Sequence, residues 1–577
     1  MESLPTELLI SIREYVSYKA AGHVETLCSL ARCSRRFHAV YQPLIYRHIS
    51  PTNYWSIHTI HLIQRIWRDP DLAAQVRHLD FGWMIKGDLL QGHSDVFDVT
   101  SATSFIDAAL EEIFEPGERR SKSMWRYHLL TPSKEAWLSL LLVRLTNLQS
   151  IEFNHPWSDL LTELLCKAAR RQRPFHQNTP FPCLEAVKAD VLRKGDALIN
   201  ANIDSLFLIP FFFFPAVRKI TGGPVPGYFC FSQDEPPFLD VRPYDDLLSF
   251  NVNHSCRPVR EIIITKAWWC HGMIEWLAAC KNLEHLRIKF LFDWHAWYSV
   301  VEDTDDAKLN ARKFRRALLP FVGTLKTLDI EVTIRRNYTL YTIMDDAGTF
   351  GSLREFTVLE NLRITHYLLA RISTVDSAPF MMRNRLADIL PSSLKDLEIL
   401  AVTADLYLGL IFEVMLLIAD RASMPQLERV RVQLALHPDG ERRKPLIPWC
   451  IDISVERLVP MESDDARERI NTVVKVEMTS KLPAVLMSSN PDEISRAREL
   501  VHLMRMLLNE TGLKDNGVCH CHEWEEPHEL ESETPSPRAL PSAPPFIPTL
   551  PVVETCSPWS SCRSSFVQSV ARCMLLD

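Results

Sequence analysis

The segment Leu283-Glu284-His285-Leu286-Arg287-Ile288 carries the basic unit of this chain, three apolar residues separated first by two variable residues and then by one. Successive side chains of a β-strand point to opposite faces of a sheet. Leu286 and Ile288 therefore share one face, and Arg287 lies on the other. The segment predicts a short strand that buries one face and presents polar side chains on the opposite face.

The same spacing of apolar residues returns along most of the chain. The clear matches, named by their first, second and third apolar residues, are Val76-Leu79-Phe81, Leu148-Ile151-Phe153, Val259-Ile262-Ile264, Leu283-Leu286-Ile288, Leu325-Leu328-Ile330, Leu359-Leu362-Ile364, Leu394-Leu397-Ile399 and Leu427-Val430-Val432. Weaker matches start at Leu184 and Val217, and from Leu148 onward the starts are 24 to 42 residues apart. The pattern resembles leucine-rich repeats, although most intervals exceed the roughly 20–29 residues of regular ones.

Apolar residues at helical spacing occupy several of the intervals between these strands. Examples are the segments from Glu135 to Leu145, Met273 to Cys280, Ala311 to Leu319, Met382 to Leu390 and Leu408 to Ala422. Each precedes a strand, so neighbouring repeats are expected to stack into an α/β solenoid with a parallel sheet and helices outside. The interval from Val76 to Leu148 is too long for one repeat and predicts an insertion of undetermined fold.

Charged residues alternate in sign between the second and third apolar positions of five successive repeats. They are Arg287, Asp329, Arg363, Glu398 and Arg431. Parallel strands lie about 4.8 Å apart, so opposite charges in register can pair. The row therefore predicts either a charge ladder that fixes strand register or a polar face that binds a target, and the two roles are compatible.

The first fifty residues differ from the repeats. They contain Leu4-Pro5-Thr6-Glu7-Leu8-Leu9, then Leu27 and Leu30, and then Phe37 and Tyr41. Pro5 suits the first turn of a helix, and Glu7 complements the positive end of the helix dipole. The spacing predicts three short helices, with the third stopped at Pro43 and Leu44 and Ile45 following as a short last turn.

In order and spacing, these elements resemble an F-box, and the whole chain is similar to fungal F-box proteins with degenerate leucine-rich repeats. The resemblance implies that the module docks to the adaptor subunit of an SKP-cullin-F-box ubiquitin ligase. The residues implied at that contact are Leu4, Pro5, Leu8, Leu9, Ile12, Leu27 and Leu30, some of which would also serve the module's core. The segment Ser17 to Glu25 is a few residues longer than in many F-boxes.

The resemblance implies a non-catalytic substrate receptor, whose repeats bind a protein target and whose adaptor links it indirectly to the cullin complex. A ligase-independent scaffold, which binds the adaptor but assembles a complex without degradation, is the alternative. The expected divisions are 1–50 for the F-box, 51–145 for a linker, first repeat and insertion, 146–440 for the solenoid, 441–514 for a C-terminal strand and capping helix, and 515–577 for a disordered tail.

Composition excludes several other classes of protein. The net charge of −8 gives no general attraction to nucleic acid or to anionic membranes, and no apolar run approaches the about 20 residues of a membrane span. The chain has no glycine-rich phosphate loop and no nucleophile motif, so no enzyme activity and no cofactor is expected. Cys519-His520-Cys521-His522 lacks a second ligand pair at zinc-finger spacing, so no metal is expected. Fourteen scattered cysteines indicate reduced thiols and a cytoplasmic or nuclear protein.

Overall fold

A computed structural model of the 577-residue chain describes most of its first 436 residues and three short strands beyond them. The described residues are 5, 7–9, 23–50, 57–81, 99–153, 159–190, 205–223, 258–267, 273–293, 309–335, 348–369, 386–402, 410, 413–414, 417, 423–436, 447–457, 472–480 and 514–515. All described residues belong to the unit Met1–Cys521.

One sheet runs through the described part of this unit, with its strands in chain order from β1 to β14. The strands are His48–Ile49 (β1), His78–Asp80 (β2), Ser150–Phe153 (β3), Ala186–Asp190 (β4), Lys219–Gly223 (β5), Glu261–Ala267 (β6), His285–Asp293 (β7), Thr327–Arg335 (β8), Asn361–Thr365 (β9), Asp396–Val402 (β10), Arg429–Leu436 (β11), Ile447–Arg457 (β12), Thr472–Ser480 (β13) and Lys514–Asp515 (β14). Strands β1 to β11 are parallel, β12 is antiparallel to both of its neighbours, and β14 is parallel to β13. The long parallel sheet is that of a mixed α/β, solenoid-like fold.

Register follows the apolar pattern. Leu286 pairs with Leu328, which pairs with Leu362, which in turn pairs with Leu397. All four side chains are buried. Burying one leucine contributes about 1.5–3 kcal/mol, and a slip by one residue would move the whole apolar row to the opposite face. The repeated spacing therefore fixes both the strands and their register, and each of the ten segments found in the sequence contains a strand.

Helices form a second layer. The helices are His23–Cys33 (α1), Arg35–Ile45 (α2), Ile57–Arg68 (α3), Pro70–Ala73 (α4), Val99–Ile113 (α5), Arg119–Leu130 (α6), Lys134–Leu142 (α7), Asp159–Ala169 (α8), Met273–Ala279 (α9), Ala311–Leu318 (α10), His366–Leu369 (α11) and Leu386–Ile389 (α12), with 3-10 helices at Ser205–Phe213 and Leu319–Phe321. Leaving aside α4 and the inserted helices α5 and α6, each helix contacts the next one along the chain. The series is α3, α7, α8, the first 3-10 helix, α9 and α10. These contacts join the helices from α3 to α10 into one layer.

The insertion between β2 and β3 is helical over its described part. It contributes α5 and α6, and α6 buries Trp125 and Leu129 completely. Phe105 of α5 stacks on Trp137 of α7, with ring centroids 6.0 Å apart. The inserted helices therefore pack onto the repeat helices and extend the same core.

The apolar run near residue 210 also belongs to the core. Its phenylalanines form the 3-10 helix Ser205–Phe213, in which Phe211 and Phe212 are buried. Phe211 packs against Phe153 of β3 at 5.8 Å between ring centroids. This segment takes the place of a repeat helix. It is not a regular α-helix, because Pro210 is poorly tolerated in one.

The N-terminal module has a core of its own. Leu9, Leu27, Ala31, Phe37 and Tyr41 form this cluster, and Tyr41 Oη donates a hydrogen bond of 3.3 Å to the carbonyl oxygen of Leu9. The expectation that the third helix stops at Pro43 is wrong. Helix α2 continues to Ile45. Pro43 is tolerated because, this near the C-terminal end, it removes only one hydrogen bond of the last turn.

Some expectations lie beyond the described residues. The expected capping helix falls there, as does the disordered tail over 515–577 apart from Asp515. Within 441–514 the structure has two strands, β12 and β13, where the sequence predicts one. The period-two alternation of Trp449, Ile451, Ile453 and Val455 with intervening residues in β12 is the signal that could have predicted this strand.

Candidate functional site

The residues implied in adaptor docking fall into two groups by exposure. Pro5 and Leu8 are exposed, and 49% of Leu8 is accessible to solvent. Leu9 and Leu27 are almost completely buried in the core of the module. Leu30 lies between, packed against the edge of that core, and Leu4 and Ile12 lie outside the described residues. Leu9 and Leu27 therefore hold the module together, while Pro5 and Leu8 form its accessible apolar surface.

Helical turns at the start of the chain set the direction of Leu8. The backbone N–H groups of Leu8 and Leu9 donate to the carbonyl oxygen of Pro5, at 3.1 and 3.2 Å. Consecutive residues of such a turn point about 100° apart, so Leu9 enters the core and Leu8 faces outward. Leu8 and Tyr127 are the large apolar side chains that are strongly exposed in the described part of the chain. An exposed leucine beside an exposed proline is suited to burial against a partner.

The five charged residues of the repeat row lie in register on five neighbouring strands. Arg287 of β7 pairs in register with Asp329, Asp329 with Arg363, Arg363 with Glu398, and Glu398 with Arg431. They stand on the polar face of the sheet, opposite the buried leucines. The sequence thus predicts the row and its neighbours, and the sheet brings all five together.

Arg363 is the centre of this row. Its Nη1 atom lies 3.1 Å from Asp329 Oδ1, its Nη2 atom 2.9 Å from an oxygen of Glu331, and its Nε atom 3.3 Å from an oxygen of Glu398. Arg431 Nη1 approaches the same carboxylate of Glu398 at 3.6 Å. One guanidinium thus binds three carboxylates on the two strands that flank its own, an arrangement that suits the five donors of a planar guanidinium.

Burial and charge act in opposite directions on these carboxylates. At Asp329 burial dominates and raises the pKa, although the positive charge of Arg363 opposes it. At Glu331 burial would also raise the pKa, but the hydrogen bond from Lys289 and the charge of Arg363 outweigh it and hold the pKa low. The difference arises because Lys289 donates a hydrogen bond to Glu331, whereas the negative charge of Glu331 adds to the rise in the pKa of Asp329. Lys289 Nζ is 2.5 Å from Glu331 Oε1.

A second row of charges, missed from the sequence, stands at the start of the strands. It consists of Arg260, Glu284, Lys326, Glu360, Lys395 and Glu428, which again alternate in sign. Glu284 binds Arg260 at 3.0 Å and Lys326 at 2.8 Å, and Glu360 binds Lys395 at 3.1 Å. Aligning the first variable position of each repeat would have revealed this row, because it follows the same apolar spacing.

Neither a metal centre nor a membrane span is found in the described residues. No group of three or more His, Cys, Asp or Glu side chains there is arranged to hold a metal ion. Cys519 to His522 lie outside those residues. The helices that the structure describes are all too short or too polar to cross a bilayer.

Comparison with known proteins adds no identification. No protein-family model matches the chain, and a search of curated proteins finds none that is similar. The class defined by the fold is therefore a mixed α/β protein with a long parallel sheet, preceded by a small helical module.

Proposed function

We propose that this chain is the substrate-recognition subunit of an SKP-cullin-F-box ubiquitin ligase. The N-terminal module binds the adaptor, and the polar face of the strand array binds a protein target. The chain itself performs no chemistry. It contributes the proximity and orientation that let the catalytic subunits of the ligase modify the target.

The exposure of Leu8 is the observation that best supports this proposal. The module buries its other described leucines wholly or partly, yet presents Leu8 and Pro5 to solvent at the start of the chain. An apolar side chain that becomes fully buried at the centre of an interface can act as an anchor, and truncating such an anchor costs about 2 kcal/mol or more in binding. The leucine-proline element is also one of the three elements by which the sequence resembles an F-box.

Co-purification with an SKP-type adaptor tests the docking step. In the full-length chain, the double substitution Pro5→Ala with Leu8→Ala should weaken adaptor binding by about 2 kcal/mol, or roughly 30-fold. Tyr127→Ala is the matched control, since it also removes an exposed apolar side chain, 64% accessible, but in the inserted helix α6. Equal adaptor recovery from the two variants at unchanged melting temperature would disprove docking through Leu8.

A second experiment separates the receptor from the ligase-independent scaffold. A receptor should recover cullin and catalytic subunits together with the adaptor, and its target should accumulate when residues 1–50 are deleted. Recovery of the adaptor alone, with target abundance unaffected by that deletion, would identify the scaffold.

A further inference from the structure

Positive charge is concentrated on one part of the strand array. The residues of β5 to β7, taken as 218–223, 260–267 and 284–290, include six basic residues and two acidic ones: Arg218, Lys219, Arg260, Lys266, Arg287 and Lys289 against Glu261 and Glu284. The matching residues of β8 to β11, taken as 326–333, 360–365, 395–402 and 428–433, include five basic and six acidic residues. The excess is local, because the whole chain carries a net charge of −8.

Arg287 stands at the unbalanced end of the charged row. Its register neighbour on β6 is Ile263, which offers no charge, and its register neighbour on β8 is Asp329. Asp329 is hydrogen-bonded to Arg363, and Glu331 is bound by Lys289 and Arg363. These two carboxylates of the neighbouring strand β8 are therefore bound by other cations.

The side chain of Arg287 is accessible to solvent. Arg287 is exposed, and within the described residues it forms no ion pair, whereas Arg363 and Arg431 of the same row each form at least one. Arg218, directly before β5, is also exposed, and its Nη1 atom donates a hydrogen bond of 3.4 Å to the carbonyl oxygen of Pro258. Two exposed arginines thus flank this part of the array with no carboxylate of the described side chains at ion-pair distance, although the charge of Arg287 still acts on Asp329.

We infer that the β5–β7 part of the polar face is a docking surface for an acidic peptide segment, with Arg287 binding a carboxylate of that segment. This inference rests on the proposed role of the array in binding a protein target, and it specifies the chemistry of that target. Arginine binds a carboxylate through two parallel hydrogen bonds, which gives orientation as well as affinity. Arg287 gains this interaction without breaking an ion pair of the fold.

Peptide binding by the full-length chain tests this inference. The probes are two fluorescent peptides of ten residues, one with four glutamates among glycine and serine and one with glutamines at the same positions. The glutamate peptide should bind, with an affinity that falls as salt is raised, and the glutamine peptide should not. Arg287→Gln should lower the affinity at least fivefold, a loss of about 1 kcal/mol.

Arg312→Gln is the matched control, because Arg312 is an exposed arginine on helix α10 and its substitution removes the same charge. It should leave peptide affinity unchanged. A charge exchange gives the sharper test, since Arg287→Glu should lose the glutamate peptide and gain a peptide with four lysines. Equal binding of all peptides, or equal loss in the Arg287 and Arg312 variants, would overturn the inference.

Two further readouts separate the alternatives. A single-stranded oligonucleotide of equal charge that binds more tightly than the glutamate peptide, and depends on Arg287, would show a nucleic-acid surface and overturn the acidic-peptide assignment. Adaptor co-purification should be unchanged in all Arg287 variants. If the unsubstituted chain binds the adaptor but not the glutamate peptide, this inference alone is refuted. If the unsubstituted chain does not bind the adaptor, the proposed ligase function is refuted.

Discussion

Arg363 and Asp329 occupy paired positions on neighbouring parallel strands, and Arg363 Nη1 donates a hydrogen bond of 3.1 Å to Asp329 Oδ1. The same guanidinium reaches Glu331 and Glu398. Arg363→Met would leave three half-buried carboxylates without this shared cation. We expect the free energy of unfolding to fall by about 1–3 kcal/mol, between the values for exposed and buried pairs.

Arg287→Met provides the comparison for that measurement, because Arg287 is an exposed arginine of the same row that forms no ion pair in the described part of the chain. Its effect on urea unfolding should stay within about 0.5 kcal/mol. If the two variants are equally stable, the row does not support the sheet, and the recognition role of these charges gains.

A histidine near the first strands predicts a dependence of stability on pH. Burial, followed by the positive charges of Arg47, His48 and Arg77, lowers the pKa of His78 from 6.5 to about 4. Between these values the unfolded chain binds a proton that the folded chain does not bind. Stability is therefore fully present above pH 6.5 and falls as the pH is lowered towards 4.

Substitution isolates the contribution of His78 from those of other titrating groups. His78→Gln should flatten the fall in melting temperature between pH 6.5 and 4, while His38→Gln, at an exposed position of α2, should follow the unsubstituted chain. Parallel curves for the unsubstituted chain and both variants would contradict the assignment.

The sequence predicts the repeat strands well because one physical rule governs them. Leu286 and Ile288 must reach the same core, so the spacing that buries them also places Arg287 on the opposite face and in line with Asp329. It does not reveal which charges pair. That Arg363 binds three carboxylates on the two flanking strands depends on side-chain reach, which register alone does not determine.

The N-terminal site is less predictable from sequence than the repeats. Leu8 and Leu9 are chemically identical neighbours, yet one is half exposed and the other fully buried. The resemblance to an F-box implied both in docking. Only the packing of Leu9 beneath Tyr41 separates the core residue from the surface residue.

Cysteine reactivity should follow burial. Burial raises the pKa of the Cys166 thiol to about 12, and the side chain is almost inaccessible. Cys33 is exposed near the end of α1. Because the thiolate is the reacting species, iodoacetamide at pH 8 should modify Cys33 in the folded protein and Cys166 only after denaturation. Mass spectrometry of peptides labelled before and after adding urea measures both sites. Equal labelling of the two in the native protein would contradict this prediction.

The leucine row of the sheet should be the main source of stability in the array. Leu362 of β9 is 1% exposed and pairs in register with Leu328 and Leu397. Leu362→Ala removes buried methyl groups and leaves a cavity, so we expect a loss of about 2–5 kcal/mol in the free energy of unfolding.

The matched control is Leu8→Ala, the same substitution at a half-exposed position, which should cost less than about 1 kcal/mol. Urea unfolding followed by circular dichroism measures both. Because Leu362 lies within the array and not in the N-terminal module, its variant should lower the unfolding midpoint while the adaptor still binds at low urea. An unfolding midpoint for Leu362→Ala equal to that for Leu8→Ala would show that the aligned leucines do not form the core that their burial indicates.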